Sequence, residues 1–394
     1  MGTCATVALD IRTYYAGKNQ LTHPNVIAFD KPWHGYRYYM AYTAFPYGNG
    51  SEENPCIAVS NDLMHWETPV GLNNPIAWCE ETQCDELKDT HLVYREDLDR
   101  LEMWYLGRLN GTIQDRTPLS CFRKISEDGI RWSDFELLFS FGEKSLCSPT
   151  IIYEDGRYRF WGIRHSEKDI CLYEMTSPDG KTWSELTECV VPKAKETLMW
   201  HGAITKSDDV YYYVWVGKGE HNQHIFMAIS DDGSTFSEPS VIVSNDTGWN
   251  YLYRPALLIE AGRFYCFYGV VRYDGKWLVA LSEGNDPYNL HGVGNEKIVF
   301  APERSAETKI QRLKIVFAAL FERISFRQII LVVPLMLISQ FSVWLCWLLG
   351  IVVCSAMFGL LIEKKDCFLN GLVNGTFYAA VAVFLAQLLQ EVIF

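Results

Sequence analysis

The sequence has no CxxC pair and no tight cluster of His and Cys, although it carries 12 cysteines. That spacing argues against a structural zinc site. Nine of the cysteines lie in residues 1–302, an odd and scattered set that reads as reduced, small, buried residues rather than a disulfide framework. Also missing from MGTCATVALDIRTYY is a basic start followed by a sustained apolar run, so no N-terminal export signal is expected. Positive charge is scarce. Residues 1–302 hold 27 Lys and Arg against 42 Asp and Glu, a net of -15, while residues 303–394 hold 8 against 6. So acidic a body repels a phosphate backbone, which excludes nucleic acid as a natural partner.

What the sequence does contain is a repeat. Ser followed by a turn residue and then an aromatic recurs at Ser60 to Trp66, Ser126 to Trp132, Ser177 to Trp183, Ser230 to Phe236 and, in degenerate form, Ser282 to Tyr288. Successive serines are 66, 51, 53 and 52 residues apart. A small polar or charged residue leading into an apolar strand precedes each of them, at His23-Pro24, Thr90-His91, Ser148-Pro149, His201-Gly202 and Arg254-Pro255. Between the markers runs an aromatic strand, for example Tyr36–Tyr42 and Tyr211–Trp215, with turn pairs such as Asp155-Gly156 just before it. Five starts and five ends predict an all-β five-bladed β-propeller over residues 1–302, each blade a sheet of four strands. The aromatic stripes are then packing between blades rather than a cofactor box.

Strand direction alternates within a blade, so the start of each inner strand shares one end of the propeller with the loop between the second and third strands. At that end stand His23, Asp89 with Thr90 and His91, Ser148, Trp200 with His201, and Tyr253 with Arg254. Polar groups on a crowded axis are costly unless they hold one another or a ligand, and a concave polar site ringed by Trp and Tyr suits a sugar. Rim loops add Glu52, Glu53, Glu220, His165 and His221, together with Arg108, Arg164, Lys218 and Arg272, cations that would favour an anionic ligand. The Asp-Gly turns fall at the opposite end and read as turns only.

With the blade starts placed, the sequence resembles the five-bladed propeller glycosidases, which include arabinanases, β-xylosidases and the fructan-cleaving invertases and levanases. The resemblance covers roughly residues 20–300 and rests on blade architecture, on His23-Pro24, and on the Ser-x-Asp-Gly-x-x-Trp strand ends. It extends to a branch of that group marked by Thr22-His23-Pro24, Glu53-Asn54-Pro55, Asp89, Ser148-Pro149, Trp200-His201 and Tyr253-Arg254-Pro255. The resemblance implies three funnel carboxylates, because protonating the leaving oxygen and attacking from the opposite face need separate groups. Here Asp89 matches the second position, but His23 stands at the first, and the later blade starts carry Ser148 and His201. Asp89, Glu53 and Glu220 are therefore the candidate acid–base groups. His23, His91, Ser148, Trp200, His201, Tyr253 and Arg254 are the candidate substrate-binding groups. No metal and no cofactor is expected. The incomplete acid set leaves two readings: a glycosidase-like enzyme that hydrolyses or transfers glycan, or a non-catalytic carbohydrate-recognition or scaffold propeller.

Residues 328–362 run 35 positions without a charge, and residues 368–390 form a second uncharged stretch. A spanning helix needs about 20 apolar residues, so two or three transmembrane helices are expected in residues 328–394. Residues 303–327 alternate basic and apolar residues at helical spacing, as in Lys309, Arg312, Lys314 and Arg323, which suits an interfacial helix on a lipid surface. Arg323 and Arg327 before the first stretch and Lys364 and Lys365 after it place the propeller on the cytoplasmic side by the positive-inside rule. The expected protein is a membrane-anchored propeller that handles carbohydrate, anionic or lipid-linked, during assembly of a surface polysaccharide.

Overall fold

The structure, a computed structural model, describes residues 2–13, 19–109, 119–142, 145–165, 170–194, 198–218 and 224–294. The chain separates after Ala301 into two units, and every described residue belongs to the first. The expected basic helix at 303–327, the expected membrane helices at 328–394, and Glu220 all lie outside the described residues. Among the described residues, no helix is long and apolar enough to cross a membrane.

Five antiparallel sheets follow one another along the chain, each with its strands in sequence order. Blade 1 is Leu21–Trp33, Tyr36–Ala44 and Pro55–Ser60; blade 2 is Cys84–Arg95, Arg100–Leu109, Ser120–Ser126 and Glu136–Ser140. Blade 3 is Cys147–Glu154, Arg157–His165, Ile170–Ser177 and Thr187–Glu188; blade 4 is Leu198–Ser207, Val210–Lys218, His224–Ser230 and Ser240–Ser244. Blade 5 is Tyr251–Glu260, Arg263–Val271, Trp277–Gly284 and His291–Gly292. Each inner strand touches the next, and that of blade 5 returns to that of blade 1, so the ring is closed.

The core is divided into five apolar clusters, one in each cleft between neighbouring blades. The aromatic second strands fill these clefts, with Tyr39, Trp104, Tyr158, Trp161, Tyr213, Trp215 and Tyr268 among the most deeply buried side chains. Between blades 2 and 3 the packing includes a charged centre. Glu102, wholly buried, accepts from Arg100 Nη2 at 2.6 Å and lies 3.4 Å from Arg123 Nη1, while the Tyr158 hydroxyl of the next blade donates to both its oxygens at 3.0 Å.

The Ser-x-Asp-Gly elements are turns held by their own side chains. Ser126, Ser177 and Ser230 accept through Oγ from the N–H of Gly129, Gly180 and Gly233 at 2.8, 2.8 and 2.9 Å. The following Asp accepts two further N–H groups, and in blade 3 those of Thr182 and Lys181 hold the Asp179 carboxyl down at about 2. Nothing in these turns is left over for chemistry.

Blade 1 departs from the expected four strands. Its outer position is taken by the short strand His65–Trp66, which pairs in parallel with Asp10–Ile11 from the N-terminal segment. That segment runs along the outer edges of three blades: Thr3 bridges Ser244 of blade 4, Leu9 N–H donates to Val279 O of blade 5 at 2.8 Å, and Ile11 lies opposite Trp66 of blade 1. It passes so close to blade 5 that a Cβ on Gly292 would lie 2.1 Å from Cys4 O. The strap thus crosses the seam between the last blade and the first. All nine cysteines of the described residues are free.

Removing the buried Glu102 carboxylate takes the shared partner from Arg95, Arg100 and Arg123, of which Arg95 keeps Asp97 and Arg123 keeps Glu136. Glu102→Ala is expected to lower stability by about 3–5 kcal/mol, read as the midpoint shift in urea denaturation. A loss below about 1 kcal/mol would mean that the arginines find other partners.

Candidate active site

Every inner strand breaks register with its neighbour at one equivalent place: between Thr22 and Asn25, Lys88 and His91, Cys147 and Thr150, Met199 and Gly202, and Tyr253 and Pro255. These bulges turn one side chain per blade toward the axis. The five residues are His23, Asp89, Ser148, His201 and Arg254, all buried. Three of them adopt the left-handed region that non-glycine residues avoid, with φ of 56° at His23, 56° at Asp89 and 53° at Ser148.

The five form one network. Arg254 Nη1 lies 2.9 Å from Asp89 Oδ1, each side chain about 1% exposed, and Arg254 Nη2 donates to Pro149 O at 3.0 Å. Asp89 Oδ2 accepts the Ser148 N–H at 3.1 Å. Ser148 Oγ is 2.6 Å from His201 Nδ1, and the Tyr253 hydroxyl is 2.7 Å from His201 Nε2. His23 Nδ1 lies 2.8 Å from Glu53 Oε1 and 3.0 Å from Thr43 Oγ1, and Thr43 in turn donates to Glu53 Oε1 at 3.1 Å.

These contacts fix charge and proton positions. Burial by itself would raise the Asp89 pKa, but the neighbouring Arg254 charge and the Ser148 N–H act the other way, and the carboxyl stays well below the usual range. Burial pushes His201 well below its ordinary value against the attraction of Asp89, so its ring is neutral at pH 7. Burial, with the Asp89 and Glu53 charges, raises Tyr253 well above its ordinary value, so its hydroxyl keeps its proton.

In the tautomer that donates Nδ1–H to Glu53, His23 turns the lone pair of Nε2 toward the axis. That atom is buried, has no hydrogen-bond partner, and faces Asp89 Oδ1 at 3.4 Å. Two lone pairs face each other there, an arrangement that a cation between them relieves. His23, Asp89 and His201 offer ligand atoms that all lie within 4.8 Å of one another. Two imidazoles and a carboxylate suit a divalent transition metal. No metal was expected from the sequence because the three ligands come from blades 1, 2 and 4 and share no motif. The legible signal was that blade starts 1, 2 and 4 all carry ligating residue types.

The remaining expected residues fall as follows. Glu53 reaches the site but is buried against His23 and Thr43, and Glu220 lies outside the described residues. His91 turns away, its Nε2 donating to Ile151 O at 3.1 Å. Trp200 packs against His165, whose Nε2 donates to the Trp200 carbonyl at 3.2 Å. Gln20 and Thr43, which hold the blade 1 loop and His23, went unnoticed because neither residue type is conspicuous in sequence.

The chain is a five-bladed β-propeller with a glycoside-hydrolase-like fold, and its axis carries a His–Asp–His cluster. No family model matches the chain. It is similar to a curated Flavonifractor plautii protein, A type blood N-acetyl-alpha-D-galactosamine deacetylase, with 25% identity over 342 residues, 70% of this chain and 44% of that protein. The chain thus spans less than half the length of this relative. Among solved structures, an N-acetylgalactosamine deacetylase from F. plautii in complex with blood group B trisaccharide superposes with a TM-score of 0.62 at 20% identity, over 72% of this chain and 95% of that one. A thermostable family-43 glycoside hydrolase superposes with a TM-score of 0.54 at 15% identity, over 70% of this chain and 93% of that one.

Burial, helped by the Arg254 charge, pushes His91 down to about 3. An unfolded histidine titrates near ~6.5, so the stability that a neutral buried His91 contributes is full above ~6.5 and is lost as pH falls toward about 3. His201 acts with the same sign. The urea midpoint is therefore expected to fall between pH 6.5 and pH 4, on the order of the window those values set, and to fall less steeply in His91→Gln. An unchanged slope in the variant would rule out His91 as a source of it.

Proposed function

We propose that the chain is a metal-dependent amidohydrolase that removes the acetyl group from an N-acetylated amino sugar. The observation that carries this reading is the meeting of His23, Asp89 and His201 at the axis, their ligand atoms within 4.8 Å of one another and His23 Nε2 3.4 Å from Asp89 Oδ1. The activity in the names of the F. plautii relatives supports the choice of reaction.

A divalent cation held by His23, Asp89 and His201 would supply Lewis-acid polarisation of the amide carbonyl. The protein's own groups do the rest. Glu53 fixes the His23 tautomer through Nδ1 and so points Nε2 at the axis. Arg254 and the Ser148 N–H keep Asp89 ionised and immobile. Tyr253 holds a proton at the cluster at neutral pH and is the hydrogen-bond donor for the carbonyl oxygen. Hydrolysis adds the oxygen of water to the acyl carbon, breaks the C–N bond, and leaves acetate and the sugar amine.

Cleavage of a glycosidic bond is the weaker reading. It needs one carboxyl group free to protonate the leaving oxygen. Of the candidate acids among the described residues, Asp89 is paired with Arg254 and Glu53 with His23, which leaves neither in that role, while Glu220 lies outside them.

The uncharged stretches 328–362 and 368–390 support anchoring in a membrane, and their basic flanks support a cytoplasmic propeller acting on lipid-linked or nucleotide-linked glycan during assembly of a surface polysaccharide. On this reading the full chain stays in the pellet after carbonate extraction of membranes. Recovery in the supernatant would end the anchoring proposal.

The activity is tested by acetate release from N-acetylhexosamines and their oligosaccharides. We expect release that a chelator abolishes and a divalent metal restores, bound metal near one per chain, loss of both in His23→Ala, and metal affinity lowered 10–100-fold, to order of magnitude, in Glu53→Gln. Free sugar without acetate would favour a glycosidase. Glycan binding with neither product would favour a recognition module.

A further inference from the structure

We propose that Tyr47, on the lip of the funnel, is the platform of a second sugar subsite, on which the ring next to the N-acetylated sugar stacks. The proposal rests on the carbohydrate reading above and extends it from one sugar residue to an oligosaccharide.

The blade 1 loop carrying Tyr47 arches across the mouth, tied to the site on both sides. On one side, Gln20 Oε1, itself buried, accepts the backbone N–H of Tyr47 at 2.9 Å and that of Trp277 at 3.1 Å. Gly48 lies against the Trp277 indole, where an added Cβ would be 3.3 Å from Nε1. Trp277 meets the Tyr253 ring edge-on with centroids 5.0 Å apart, and Tyr253 reaches His201 Nε2. Toward blade 2, Gly50 faces the Glu86 carboxylate, and the loop ends in Glu53 on His23. Tyr47 therefore stands on a loop tied to Trp277 at one side and, through Glu53, to the proposed ligand His23 at the other.

Its own conformation is unusual. Tyr47 has φ 54° and ψ 29°, the left-handed region that glycine takes freely and other residues adopt rarely. The turn thus holds a strained aromatic where a glycine would fit. The side chain gains no burial in return, because Tyr47 is 60% exposed, more than Trp78, Tyr288 or Tyr273. Backbone strain of this kind persists at ligand clamps, where the surrounding structure over-determines it. An exposed phenol ring on a loop that ends in the polar site presents an apolar face and a hydrogen-bonding tip, the pairing that a pyranose ring requires.

The test is calorimetric titration of the full chain with N-acetylgalactosamine and with a trisaccharide ending in it. Wild type is expected to prefer the trisaccharide by about tenfold, the size of one aromatic contact. Tyr47→Gly keeps the loop conformation without strain and is expected to abolish that preference, while Tyr47→Trp is expected to retain it. Equal affinity of wild type for the two sugars, binding of neither, or an undiminished preference in Tyr47→Gly would overturn the subsite. Binding is read without turnover, so the two readings fail separately: a chain that shows the preference but releases no acetate loses the deacetylase assignment and keeps the subsite.

Discussion

The buried ion pair between Asp89 and Arg254 is the constraint on which the rest of the site depends. Two charges removed from water are stable only where their attraction and further hydrogen bonds offset the cost of desolvation. Here the Ser148 N–H takes the second oxygen of Asp89 and the Pro149 carbonyl takes the second terminal nitrogen of Arg254. Those four residues come from blades 2, 3 and 5. The pair therefore ties nonadjacent blades across the axis as well as setting the local charge. It also keeps a carboxylate ionised and aimed beside His23.

That assembly is made by one repeated backbone device. A bulge at the same point of each inner strand turns a single side chain into the ring, and in blades 1 to 3 the residue is forced left-handed. Such positions cost about 1–3 kcal/mol each and survive where the surroundings over-determine them. In this molecule the surroundings are the five interblade cores and the N-terminal strap, which hold the ring closed independently of the axis. The rigid body carries the strain, and the axis uses it.

The two ends of the propeller divide the work. At one end the Ser-x-Asp-Gly turns consume their own carboxylates in backbone hydrogen bonds, which makes them good hairpins and poor catalysts. At the other, the longer loop of blade 1 reaches inward with Glu53 and outward with Tyr47, so a single segment orients a proposed metal ligand and shapes the mouth.

Fold class was readable from sequence because a propeller writes its repeat into the chain: the spacing of Ser60, Ser126, Ser177 and Ser230 and the aromatic strands between them are local patterns, and local patterns survive without coordinates. The blade-start residues His23, Asp89, Ser148, His201 and Arg254 were readable for the same reason. Their partnership was not. His23 and Glu53 both looked like candidates for chemistry, but only the closed ring sets Glu53 against Nδ1 of His23 and leaves Nε2 bare toward Asp89. The strap from Thr3 to Ile11 was equally invisible, since its pairing partners lie in blades 4, 5 and 1. Residue type and periodicity determined the scaffold and the residues at its axis. Which of those side chains neutralise one another and which are left open is set by distances across the ring, between residues up to 165 positions apart in the chain, and only the tertiary structure could decide it.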